Sequence, residues 1–79
     1  MSDSLERRLH LSAQARAAQE TRLAAGRIER ELTTVRAYLS GDEPPPAAVL
    51  RRLAEEAVEM VQHGATWEAL ASSPVDRRR

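Results

Sequence analysis

The sequence contains no cysteine, no phenylalanine and no lysine. Without cysteine there is no disulfide, no thiol nucleophile and no thiolate metal ligand, so nothing covalent supplements a small core. Without lysine, Schiff-base chemistry and a phosphate-binding lysine are excluded. Trp67 and Tyr38 are the only aromatic residues, fewer than the wall of a ligand pocket usually takes. The three glycines are scattered, which leaves neither a glycine-rich phosphate loop nor a Gly-x-Ser-x-Gly nucleophile turn. The serines lie near the ends, at Ser12 and at Ser40, with no His–acid pair beside them. No enzyme motif and no cofactor site is therefore expected.

Long apolar runs are missing as well. The longest are a few residues, such as Ala47 to Leu50, against the ~20 that a membrane span requires. The start, Met-Ser-Asp-Ser-Leu-Glu-Arg-Arg, has no apolar signal core, and a cytoplasmic location is expected. Neither sign of charge dominates: twelve arginines face twelve acids, net charge +0. Bulk charge then does not hold the chain to nucleic acid. No alternation of β-branched residues and no Asn-Gly turn argues for a strand.

What the 79 residues do contain is helix former in quantity. Residues 3–40 hold no proline and one glycine and are rich in Ala, Leu, Arg, Glu and Gln. Asp3 and Glu6 resemble a capping box, and Ser40-Gly41 reads as a stop. Residues 41–46, Gly-Asp-Glu-Pro-Pro-Pro, form a stiff connector that no helix can cross. A second helix is expected over 46–63, ending at Gly64. Thr66 is placed to cap a short third helix over 66–71, and 72–79 reads as a frayed tail. The fold class is all-α: a single-domain helical hairpin with a long first helix, a shorter antiparallel second helix and a short C-terminal one.

Apolar spacing suggests how the helices pack. Ala25, Ile28, Leu32, Val35 and Leu39 keep steps of three and four, a heptad-like seam. Leu50, Leu53, Ala54, Ala57, Met60 and Val61 share one face of the second helix. The expected core sets Ile28, Leu32, Val35 and Leu39 against Leu50, Leu53, Ala57, Met60 and Val61. The lengths differ, roughly 57 Å for helix one against roughly 27 Å for helix two at 1.5 Å per residue. About the first twenty residues of helix one are thus left without a partner within the chain.

That overhang carries Leu5, Leu9, Leu11 and Leu23 with Arg8, Arg16 and Arg22 around them. Leucines each worth ~1.5–3 kcal/mol on burial call for a cover, and apolar anchors rimmed by arginine are normal interface composition. These seven residues are the expected partner-binding set, with Trp67 added as the one bulky aromatic near the end. The cover is expected to be a second copy, giving a homodimeric bundle, or a larger protein. The alternative is a break at Gly26 that folds the first half back into a monomeric three-helix bundle. Trp67 has a structural reading too, closing the end of the hairpin on Met60, Val61 and Leu70.

Charge is uneven. Residues 1–40 hold seven Arg and five acids, net +2, residues 41–76 two Arg and seven acids, net −5, and the last three residues are Arg. A basic helix beside an acidic one favours antiparallel pairing. The strongest metal candidate is Glu56, Glu59 and His63, whose Glu-x-x-x-His spacing departs from the Glu-x-x-His of di-iron helices. At a helix end His63 also has a simpler use, a cation against the C-terminal dipole. His10 reads as a surface residue.

Glu56 to Ala71 resembles the first half of a homeodomain-like helix-turn-helix, an apolar helix stopped at Gly64 and a short one opening at Thr66 and carrying Leu70-Ala71. The resemblance implies DNA association. After Ala71, however, Ser-Ser-Pro-Val-Asp-Arg-Arg-Arg offers no recognition helix for a major groove. Helix one, though basic, lacks the Trp/Phe/Leu face of a membrane-surface helix. The expectation is a non-enzymatic interaction module that binds a larger protein stoichiometrically, as inhibitor, adaptor or accessory subunit. The alternative is a small DNA-associated regulator.

Overall fold

The computed structural model describes the backbone of residues 2–72 and the side chains of residues 4–72. Two helices account for it: α1, Ser2–Ser40, of 39 residues, and α2, Ala47–Ser72, of 26 residues. Among the described residues there is no strand. The expected tail, from residue 73 on, lies outside them.

The turn is built by backbone hydrogen bonds. Glu43 N–H donates to Tyr38 O at 2.9 Å and Asp42 N–H to Leu39 O at 3.0 Å. That pair is the 6→1 and 5→2 pattern of a Schellman cap. The left-handed residue it requires is Asp42, at φ 59°, not the neighbouring Gly41. Pro44 follows at once and prevents any continuation. Pro46 then acts as the cap of α2, its carbonyl accepting from Val49 N at 3.0 Å and Leu50 N at 3.2 Å.

α2 does not stop at Gly64. It runs unbroken to Ser72, so the short third helix expected over 66–71 is the last part of α2. Two local facts account for this. Thr66 does not cap a new helix; its hydroxyl donates back to Gln62 O at 3.1 Å, the i−4 bond that threonine makes inside helices. Gly64 does not take the positive φ of a helix stop; it lies beside α1, where a Cβ would come 3.9 Å from Thr21 Cγ2. α1 likewise passes straight through Gly26, and the break that would give a three-helix bundle is absent.

The helices pack antiparallel along a heptad seam. On α1 it follows His10, Gln14, Ala17, Thr21, Ala24, Ile28, Glu31, Val35 and Tyr38; on α2, Val49, Leu53, Glu56, Met60, His63, Trp67 and Leu70, all at least partly shielded. This is a four–three repeat throughout. It corrects the expected core in part. Ile28, Val35, Leu53 and Met60 are in it, and Leu32 and Ala57 are partly shielded beside it. Leu39, Leu50 and Val61 are turned away, 58%, 45% and 66% exposed. At alternate positions the seam on α1 runs one residue earlier than the apolar pattern suggests, at Ala24, Glu31 and Tyr38 in place of Ala25, Leu32 and Leu39, because small Ala17 and Ala24 let the backbones approach and Glu31 finds Arg52 at 3.6 Å.

Pairing extends further than expected. His10 Nε2 lies 2.8 Å from Leu70 O, so only the residues before His10 project beyond α2, not the first twenty. The result is a rod of 61 × 16 × 16 Å with a radius of gyration of 18.0 Å, where a globular chain of this length would have about 12 Å. Two helices alone cannot enclose large side chains. Among the described residues the buried ones are Ala17, Ala18 and Ala24.

Candidate interaction surfaces

The two flanks of the seam differ in chemistry. One flank is polar. Its centre is Arg27, whose Nε donates to Glu56 Oε1 at 2.6 Å and whose Nη2 donates to Glu59 Oε1 at 3.2 Å. The Glu56 hydrogen bond, aided by both carboxylate charges and opposed by partial desolvation, holds the guanidinium above its ordinary pKa. Glu56 is not among the apolar residues assigned to the packed face of the second helix, yet its side chain is only 18% exposed, with Arg27 paired to it there. The same contacts dispose of Glu56, Glu59 and His63 as a metal set. Arg27 occupies both carboxylates, and among the described residues no group of three or more potential ligands is placed to hold a metal ion.

Towards the open end this flank becomes a groove of about 550 Å³. Leu9, Ala13 and Ala17 of α1 and Leu70 of α2 give it apolar walls, and Arg16, Glu20, His63 and Thr66 a polar margin. It forms there because α1 carries alanine at 13 and 17, leaving a trough that the larger Leu9 and Leu70 border.

The other flank is apolar on both helices. Every seventh residue of α1 from position 11 is Leu11, Ala18, Ala25, Leu32, Leu39; the matching positions of α2 are Leu50, Ala57, Gly64, Ala71. On the opposite flank the equivalent positions read Ala13, Glu20, Arg27, Thr34 and Arg52, Glu59, Thr66. Val61 and Ala54 widen the apolar side on α2, and Ala15, Arg22, Glu29 and Arg36 edge it on α1. Leu11, Leu39, Leu50 and Val61 are 45–66% exposed on it.

The expected partner-binding residues divide between these surfaces. Leu9 and Arg16 border the groove, and Leu23 follows seven residues after Arg16 on the same outer side, 47% exposed. Leu5, 53% exposed, lies on the projecting turns of α1, on the back of the helix. Leu11, Arg8 and Arg22 fall on the apolar side. Trp67 is in the seam, and the Arg22 guanidinium sits 5.5 Å from its ring centroid, a cation–π contact. Its predicted neighbour Val61 points elsewhere.

Sequence reasoning missed Leu39, Leu50 and Val61 as surface residues, having spent them on the hairpin core. The signal lay in the surplus: each helix has more apolar positions than one seam can use.

The stretch that resembles a helix-turn-helix contains no turn, since Glu56 to Ala71 lies wholly within α2. No described helix is long and apolar enough to cross a membrane. Comparison with protein-family models, with curated proteins and with solved structures finds no match to this chain.

Proposed function

We propose that this chain is a non-enzymatic helical interaction module, working as a homodimer, that binds a larger protein stoichiometrically as an inhibitor, adaptor or accessory subunit. The observation that supports it best is the apolar groove at the open end, walled by Leu9, Ala13, Ala17 and Leu70. It lies beside projecting turns of α1 that expose Leu5 and Leu9. A groove between two helices suits the apolar face of a partner helix, which would turn the hairpin into a three-helix packing. Arg16 and Glu20 on the margin offer both signs of charge to that helix and so set its register.

The test is quantitative affinity capture with the tagged full chain, comparing wild type, Leu9→Glu and Arg51→Glu, the last at an exposed position outside both surfaces. The reading expects one protein recovered in stoichiometric amount by wild type and by Arg51→Glu, and lost with Leu9→Glu. Recovery that ignores Leu9→Glu, or no stoichiometric protein at all, contradicts it.

A further inference from the structure

The apolar flank is a different surface from the groove, and its layout carries information about its occupant. A two-fold interface must be self-complementary: if residue i meets residue j of the second copy, then j meets i. A surface for an unrelated protein has no such constraint.

Evenly spaced positions are symmetric in spacing, so the residue types decide. On α1 the two outermost residues, Leu11 and Leu39, are alike and stand fourteen residues either side of Ala25, while Ala18 and Leu32, small and large, stand seven either side. On the edge, Arg22 and Glu29 are centred between positions 25 and 26. The α2 stripe, Leu50 to Ala71, is centred between 60 and 61. These centres lie at one level of the rod. Thr21 is level with Gly64, and Arg27 with Glu56 and Glu59, which sets Ala25 level with about position 60 at the helical rise. A single two-fold axis perpendicular to the rod therefore serves both helices.

We propose that the apolar flank is an isologous interface with a second copy of this chain, α1 against α1 and α2 against α2, both antiparallel, with the connecting loops at opposite ends of a four-helix bundle. The inference rests on the self-association proposed above and adds its face and direction. Around the axis Ala25 meets Ala25, Leu11 meets Leu39, and Leu32 meets Ala18, so the close approach falls at the centre and the leucines lie towards the ends. Charge agrees: Arg22 comes opposite Glu29 of the second copy, twice per dimer. The size agrees too. One side of a rod 61 Å long and 16 Å wide provides on the order of the 800 Å² per partner that a stable interface takes. A dimer so formed leaves both grooves open.

Because the natural chain lacks cysteine, single cysteines report contacts without background. Ala25→Cys should oxidise to a covalent dimer. Leu11→Cys and Leu39→Cys should each stay uncross-linked alone and cross-link to one another when mixed. Charge reversal gives an independent reading. Arg22→Glu and Glu29→Arg should each weaken self-association about tenfold, and an equimolar mixture of the two should recover it as a heterodimer, since both edge pairs are then attractive. Circular dichroism of each variant checks that the hairpin is intact. Sedimentation as a monomer at all concentrations overturns both the self-association and this interface. A dimer in which Leu11→Cys cross-links to itself, or in which the charge-reversed chains do not prefer each other, overturns this interface and leaves self-association standing.

Discussion

His10 Nε2 donates to the carbonyl oxygen of Leu70 at 2.8 Å, sixty residues away in the chain. A carbonyl only accepts, so Nε2 carries the proton. Leu70 belongs to the last turn of α2, where carbonyls lack an intrahelical donor. His10 therefore caps α2 from α1 and fixes where the paired part of the hairpin ends. His10→Ala should lower stability by ~0.5–1.5 kcal/mol, the net value of one hydrogen bond. Amide exchange should speed up in residues 66–72 and stay unchanged beside the connector. Equal acceleration at both ends would contradict a local cap.

The two helical glycines should respond alike although they sit differently. Nothing within the chain lies within 4 Å of a Cβ at Gly26, and one at Gly64 would make ordinary contact with Thr21 at 3.9 Å. Alanine at either site should raise stability by ~0.5–1 kcal/mol through helix propensity. Thermal melts of Gly64→Ala showing lost helicity or lost stability would restore Gly64 as a helix stop.

Asp42 occupies the left-handed position of the cap, φ 59°, a conformation that costs ~1–2 kcal/mol in residues with a Cβ and least in Asp, Asn and Gly. Asp42→Gly should stabilise by about 0.5 kcal/mol and Asp42→Val destabilise by ~1–2 kcal/mol. Denaturant midpoints of the two variants moving in the same direction would mean the cap does not limit stability.

The helical class, the hairpin and its connector were legible because they rest on strong local signals: the absence of proline before Pro44, the triple proline, and sustained apolar periodicity. The end of α2 was not, since Gly64 and Thr66 are stop and cap by local chemistry, yet Gly64 keeps a negative φ within the helix and Thr66 donates back to Gln62 O. On α1 the apolar pattern shares Ile28 and Val35 with the seam and falls one residue late at Ala25, Leu32 and Leu39. Leu32 and Leu39 are more apolar than Glu31 and Tyr38, and only the partner helix shows that Arg52 neutralises Glu31. The apolar flank is hidden for a related reason on both helices, because Leu39 on α1 and Leu50 and Val61 on α2 are as apolar as the seam residues beside them. Leu5, Leu9, Leu11 and Leu23 were correctly left over from the hairpin, but for a different reason: they lie to the sides and back of a helix paired nearly along its whole length, not mainly on an unpaired one.

The account stands on the claim that the apolar flank, and not the seam alone, completes the fold. Sedimentation equilibrium of the full chain and of Leu39→Glu/Val61→Glu tests this most directly. Both positions are more than half exposed in the single chain, so the hairpin itself should persist. The wild type should sediment at twice 8.8 kDa and the double variant at the single-chain mass, with helical circular dichroism retained. A wild type that remains at the single-chain mass, or a double variant that still pairs, would contradict it.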